Sequence, residues 1–301
     1  MRIGTLMDVD RPLDEIIAQV QGLADDGYAS AWAVQIFGHD ALTLLAVVGD
    51  RVPGIQLGTG VVPVYSRHPQ VMAQQALTVQ DASGGRLTLG IGLSHQMVVE
   101  NMWGYSYQKP ARYMREYLSA LLPMLAGDTV HVDGEVVTAH TYAPLEVPGV
   151  SAPPVLVAAL GPAMLGLAGR VAAGTITWMT GTAAVAGHIV PSIRASAEKA
   201  GRPAPRVVVS LPVTVTDDIE HAREKVDKAF ALYPSLPSYK AMLDKAGAIQ
   251  PSDVAFIGNE EQVTQQLGEL AEAGATEFAA AVLGNSEEKE RSQAVLLAAN
   301  D

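Results

Sequence analysis

The chain has 301 residues, 49% of them hydrophobic, no cysteine, and a formal net charge of -12. That length and apolar content suffice for one large core, so residues 1–301 are expected to form a single domain. Missing cysteines exclude a disulfide framework and thiolate metal sites, and the acidic balance argues against a nucleic-acid partner, which would favour a basic face. The opening Met1-Arg2-Ile3-Gly4-Thr5-Leu6-Met7-Asp8 reaches Asp8 and Asp10 before an apolar run long enough for a signal peptide. No run approaches the roughly 20 apolar residues of a membrane span. The expectation is a soluble, cytoplasmic protein that acts on a small molecule, with neither nucleic acid nor membrane as a partner.

Short β-rich runs alternate with helical patterns along the whole chain, the signature of βα units and a parallel sheet. Eight strands are predicted: Arg2 to Met7, Ala29 to Gln35, Ile55 to Val61, Arg86 to Gly92, Pro154 to Ala159, Thr175 to Met179, Arg206 to Val215, and Glu277 to Leu283. Leu13, Ile16, Ile17, Val20, Leu23 and Ala24 line one face of the first helix, which starts after Pro12 and stops before Gly27. Val263, Leu267, Leu270 and Ala271 repeat that device before Gly274 and the final strand. Eight such units close most naturally as a (β/α)8 TIM barrel. Three segments interrupt the repeat. Residues 94 to 109, with Trp103, Tyr105 and Tyr107, form an aromatic loop expected to overhang the barrel mouth. Thr129 to Val137, centred on Asp133-Gly134, alternates as a β-hairpin does. From Asp217 to Gly247, Pro234 and Pro237 break a helix in two, and a lid is expected there.

The densest signal is Gln56-Leu57-Gly58-Thr59-Gly60-Val61-Val62-Pro63-Val64-Tyr65-Ser66-Arg67-His68-Pro69, followed by Gln74-Gln75 and then Ser83-Gly84-Gly85-Arg86-Leu87-Thr88-Leu89-Gly90-Ile91-Gly92-Leu93-Ser94-His95. It reads as a strand ending in Gly and Pro, a helix opening after Pro69, and a second strand leaving through Leu93-Ser94-His95. Strands joined by a helix lie parallel, so the ends carrying Gly60 and Ser94-His95 should emerge on one face, where ligands bind in such folds. This block resembles the luciferase-like monooxygenase superfamily, and within it the bacterial branch that uses the deazaflavin coenzyme F420.

The resemblance implies a cofactor site. Family members carry a bulge with a non-proline cis peptide behind the ring, which falls here at Gly60-Val61; a backbone that approaches a flat tricyclic ring needs a position without a Cβ. Leu93 and Ser94 follow on the fourth strand, and His95 is expected as the general acid or as a group hydrogen-bonded to the ring. Gln35, at the second strand's end, is the other residue assigned to the chemistry and to the cofactor. Dehydrogenases of the branch have Asp-His where this chain has Gln35-Ile36. Ile36 cannot move a proton, which favours reduction over alcohol oxidation. Ala159, Leu160 and Gly161 run into a helix whose free amides, with that of Ala163, suit the coenzyme's phosphate. Met179 and Thr180 at the sixth strand's end complete the set, with Trp178 as a pocket wall or a core residue. Arg67, Lys109 and Arg112 are weaker candidates for the anionic tail, each equally consistent with a turn or a solvated face.

No His-x-x-x-His or acid cluster has metal-ligand spacing, so no metal is expected, and Gly-x-Ser-x-Gly is absent. Gly90-Ile91-Gly92 lacks the rest of a dinucleotide fingerprint. Three functions therefore stand: an F420-dependent reductase passing hydride between deazaflavin C5 and a small organic substrate; an FMN-dependent monooxygenase using oxygen; and a barrel that binds a ligand without turnover. Family members are commonly dimers, and a homodimer is the expectation here.

Overall fold

The computed structural model describes residues 1–300. Twelve strands are present among them: β1 (Arg2–Leu6), β2 (Ser30–Ala33), β3 (Gln56–Thr59), β4 (Val62–Pro63), β5 (Leu87–Gly92), β6 (His131–Asp133), β7 (Thr138–His140), β8 (Val155–Ala158), β9 (Gly174–Trp178), β10 (Arg206–Val215), β11 (Phe256–Gly258) and β12 (Glu277–Val282). The helices are α1 (Leu13–Asp25), α2 (Ala41–Arg51), α3 (Pro69–Ala82), α4 (Pro110–Leu125), α5 (Pro162–Val171), α6 (Thr182–Ala184), α7 (Val190–Lys199), α8 (Ile219–Ala229), α9 (Pro237–Ala246), α10 (Glu260–Glu272) and α11 (Ser286–Ala298). All strands but β6 and β7 belong to one sheet, and its eight principal strands alternate with helices in the (β/α)8 barrel architecture. No helix among the described residues is long and apolar enough to cross a membrane.

The chain's contacts group it into two compact units. The first comprises Met1–Leu6, Leu23–Trp32 and Ala159–Asp301. In it β10 is the organising strand: β12 pairs along Val208 to Val213, β9 pairs along Arg206 to Ser210, and β11 pairs with Val213 to Val215. β1 lies between β12 and β2. At the start of these strands Glu277 is fully buried. Its Oε2 accepts from the Arg2 guanidinium at 2.6 Å and from that of Arg206 at 3.0 Å; its Oε1 accepts from Ser30 Oγ at 2.5 Å and Trp32 Nε1 at 3.0 Å. A buried carboxylate is tolerable only when so fully paired. Gly4 leaves room for this cluster, because a Cβ there would overlap Ser30.

The second unit comprises Met7–Gly22 and Ala33–Ala158. Here β5 is central, with β8 on one edge and β3 and β4 on the other. Leu57, Leu87 and Leu89 from these strands are fully buried, as are Leu42 and Leu45 of α2 and Met72 of α3. The helix ends follow local chemistry: Asp40 accepts from Thr43 N to cap α2, and His68 accepts from Gln70 N ahead of Pro69 in α3.

Three boundaries differ from expectation for physical reasons. The third strand stops at Thr59 and resumes as β4, because a bulge intervenes. The second stops at Ala33, since Gln35 turns its side chain to the start of α2. In the hairpin, β6 pairs with a strand that begins only at Thr138, so its turn is Gly134 to Val137 and not Asp133-Gly134. Glu116 of α4 accepts from the Val136 and Val137 amides at 2.9 and 3.1 Å and so fixes that turn. Burial works against the charged form of Glu116, but those amides and that of Glu135 prevail and hold its carboxyl below the usual value. The segment from Asp217 to Gly247 does break: α8 ends at Ala229, a 3-10 turn covers Tyr233–Ser235, and Pro237 starts α9.

Candidate active site

In the second unit, three strand ends are tied together by backbone bonds. The pairing runs Leu57 to Leu87 and Gly58 to Thr88, but resumes as Val62 to Ile91 and Pro63 to Gly92. One residue of the β3 side therefore has no partner, which defines a bulge over Thr59, Gly60 and Val61. The Gly60-Val61 peptide is cis. Gly60 N donates to Ala33 O of β2 at 2.8 Å, and Val64 N donates to Gly92 O of β5 at 3.0 Å. Gly92 must lack a side chain, since a Cβ would lie 2.7 Å from Val61 Cγ2.

Gln35 lies two residues beyond Ala33. Its Oε1 accepts from Ala41 N at 2.8 Å, which spends its acceptor on α2 and leaves its amide group as a donor. Ile36 and Phe37 follow, 64% and 84% exposed. Gly38 passes so close to Val9 that a Cβ would overlap its carbonyl, and His39 N bonds the same oxygen at 3.0 Å.

Leu93, Ser94 and His95 follow β5 and are half-buried. Ser94 has a φ of 58°, one of three non-glycine residues with positive φ among those described. Such backbone is uncommon outside glycine and concentrates at functional sites. The His95 carbonyl accepts from Val98 and Val99 at 2.9 and 3.0 Å and starts the π-helical turn Val98–Met102. Burial pushes the His95 imidazole below the ordinary histidine value, so near neutrality it is uncharged, with one N–H to donate and one nitrogen to accept.

A tyrosine array that the sequence reading did not assemble stands beside these residues. Tyr65 stacks on Tyr113 with ring centres 4.2 Å apart and lies 5.6 Å from Tyr107, whose hydroxyl donates to Ser94 O at 3.3 Å. Tyr65 is 6% exposed, and its hydroxyl has no hydrogen-bond partner among the described residues. Burial, reinforced by Tyr107, Tyr113 and Glu100, raises its pKa well above the usual phenol value. A buried hydroxyl of this kind is a free handle for a bound molecule. The aromatic loop with Tyr105 and Tyr107 was visible; that Tyr65 and Tyr113 join it was not.

In the first unit, α5 begins at Gly161 and Pro162 with no side-chain cap. A Cβ on Gly161 would meet nothing within 4 Å, so the N-cap of α5 borders open space. Ala159 is buried, and the carbonyl of Leu160 meets His188 Nε2 at 2.8 Å. This suits an anion, by partial charge and free donors together. Met179, after β9, has a φ of 50°, and Thr180 is buried with its hydroxyl donating to Trp178 O at 3.2 Å. Trp178 packs edge-on to Phe230 and Tyr233, with ring centres 5.4 and 6.2 Å away, so it fastens the broken segment to the end of β9.

The cationic candidates are otherwise engaged. Arg67 pairs with Asp40 and donates to Gln75 at 3.0 Å, while Lys109 and Arg112 both pair with Glu135. Arg67 thus ties α2 to α3, and the other two sit on a solvated face; none of the three is disposed for a cofactor tail. The expectation that no side chains have metal-ligand spacing also needs correction, because the hairpin brings His131, Asp133 and His140 together.

In the second unit the residues suit a flat ring, with a side-chain-free position at Gly60, a donor on Gln35 and a buried Tyr65 hydroxyl; in the first unit the start of α5 suits an anion. The profile of the luciferase-like monooxygenase family matches residues 1–277. A 5,10-methylenetetrahydromethanopterin reductase of Methanolobus tindarius is 28% identical over 254 residues, 80% of this chain and 74% of its own. Among solved structures, the coenzyme F420-dependent tetrahydromethanopterin reductase from Methanopyrus kandleri superposes with a TM-score of 0.78 at 23% identity, covering 99% of this chain and 97% of that one. A type II Baeyer-Villiger monooxygenase of Pseudomonas putida in complex with FMN gives 0.77 at 18%, covering 99% and 96%. At these identities the two structures speak for the barrel fold. With the profile spanning both β3 to β5 and β8 to β11, the chain belongs to the luciferase-like monooxygenase family of oxidoreductases.

Proposed function

We propose that this enzyme is an F420-dependent oxidoreductase working as a reductase, which passes hydride between the deazaflavin C5 and a small organic substrate. The observation that carries the reading is the set of strand ends around the Gly60-Val61 bulge: Gln35, whose oxygen is engaged by Ala41 N, and Ile36 after it supply a donor but no base at the end of β2. Alcohol oxidation needs a group to take the hydroxyl proton. Reduction needs only hydride, which the coenzyme supplies when bound, and a proton for the product.

Within this reading Gly60 and Val61 back the ring, Gln35 donates to a ring carbonyl, and Leu93 and Ser94 flank it. His95 gives its N–H proton to the product as its other ring nitrogen takes one from water, so the ring stays neutral throughout. The amides of Leu160, Gly161 and Ala163, with Thr180 and Met179, meet the tail and its phosphate. Ile36, Phe37, Met97, Met102 and Tyr105 are exposed apolar side chains of the second unit, which supports an apolar substrate such as an activated alkene, imine or carbonyl.

The test is anaerobic turnover. Reduced F420 is mixed with the enzyme and a panel of activated alkenes and imines, and reoxidation is followed by absorbance. Substrate-dependent reoxidation without oxygen supports the reading. Oxygen consumption with reduced FMN, and no reaction with reduced F420, would move the chain to the flavin monooxygenases.

A further inference from the structure

The β6–β7 hairpin carries a side-chain cluster that the proposed chemistry does not use. Its register places His131 directly opposite His140 and Asp133 opposite Thr138. Residues two apart on a strand share a face, so His131, Asp133 and His140 all project from the same side. The two imidazoles lie parallel, with centres 3.9 Å apart and planes 9° apart. Both direct Nε2 at one carboxylate: His131 Nε2 is 3.0 Å from Asp133 Oδ2, and His140 Nε2 is 2.9 Å from Oδ1. Two rings held in register with their nitrogens converging on an acid form a donor set that faces solvent.

We propose that His131 Nε2, His140 Nε2 and one Asp133 oxygen bind a divalent transition-metal ion of the Zn2+ class. The donor atoms lie within 4.8 Å of one another. Tetrahedral coordination at about 2.0 to 2.2 Å spaces ligand atoms roughly 3.3 Å apart, and each histidine–carboxylate pair, at 3.0 and 2.9 Å, is within a few tenths of an ångström of that spacing. Two imidazoles with one carboxylate suit Zn2+, Cu2+ or Ni2+; Mg2+ and Ca2+ prefer all-oxygen shells. The remaining positions face water, as three protein ligands leave them.

The hairpin gives such an ion something to stabilise. Its turn is bonded to Glu116 of α4, and Glu135 within that turn pairs with Lys109 and Arg112 at the end of the aromatic loop. On the other side, His68 Nε2 meets the Thr138 carbonyl at 3.0 Å. A metal clamp across β6 and β7 would order the element from which that loop is held.

The test is calorimetric titration of Zn2+ into the untagged chain, with visible absorbance of the Co2+-loaded protein as a second readout. Wild type is expected to bind one equivalent and give Co2+ bands of low-symmetry nitrogen and oxygen ligation. D133N should weaken binding about tenfold or more, and the double variant H131A/H140A should abolish it. Mg2+ should not compete. All three side chains are solvent-facing, so circular dichroism should show the variants folded. Equal Zn2+ affinity in wild type and double variant, or no binding by wild type, would overturn the proposal.

Discussion

The Thr59 hydroxyl bonds both backbone groups of Gly90: it accepts from Gly90 N at 2.8 Å and donates to Gly90 O at 2.7 Å. At the point where the bulge removes a ladder bond between β3 and β5, one side chain replaces the missing donor and acceptor. Thr59→Val keeps the shape and deletes both bonds, leaving buried groups unsatisfied. A loss of about 2 to 4 kcal/mol is expected by urea denaturation, together with weaker cofactor binding. Gly90→Ala should be at least as damaging, because its Cβ would overlap the Thr59 carbonyl. Wild-type stability in both variants would remove this bond pair from the account.

Gly161 separates binding from stability. An aspartate there points into open space at the N-cap of α5, where a carboxylate favours the helix, so stability should hold or rise by about 0.5 to 1 kcal/mol. The same charge faces an incoming phosphate, so G161D should raise the Kd for the coenzyme about tenfold or more, measured by fluorescence titration. Unchanged affinity would place the phosphate elsewhere.

His95 makes a pH prediction with a definite sign. Burial lowers its pKa below the ordinary 6.5, so below neutrality the unfolded chain holds the proton more readily than the folded one. Its contribution is neutral at high pH and destabilising as pH falls through the ordinary histidine range. His95→Gln should therefore flatten the acid side of the stability profile while lowering turnover, about a hundredfold if the imidazole handles the proton. Proton NMR of the His95 ring should show a midpoint below 6.5; a midpoint above it would contradict the assignment.

Glu277 is at the opposite end of its strand from the site, and its variants should be structural. Glu277→Ala leaves Arg2, Arg206, Ser30 and Trp32 without their shared acceptor. A cost of about 3 to 5 kcal/mol is expected by chemical denaturation, with coenzyme affinity of the folded protein unchanged. A large change in affinity without a change in stability would reassign the residue.

The eight strands were legible because each is a short apolar run bounded by Gly, Pro or a polar turn, and the α1 and α10 faces because their period is unambiguous. Register was not. Nothing local says that one residue between Thr59 and Val62 goes unpaired, since that depends on where β5 lies. The same holds for Glu277, whose partners come from both ends of the chain, and for His131 and His140, which meet only because the hairpin is centred two residues later than Asp133-Gly134 suggests. Conversely, Arg67 stayed open between a turn role and the anionic tail because its partner Asp40 is distant in sequence. Where the candidate site residues follow a strand directly, as Ser94, His95 and Met179 do, their place at strand ends was legible; the left-handed backbone of Ser94 and Met179 is visible only in the structure.

The most direct test of the central claim is a fluorescence titration of the purified protein with coenzyme F420 and, in parallel, with FMN. The account predicts saturable binding of F420 in the micromolar range or tighter, and weaker or no binding of FMN. Saturable binding of FMN alone would contradict it and assign the site to flavin-dependent oxygenation.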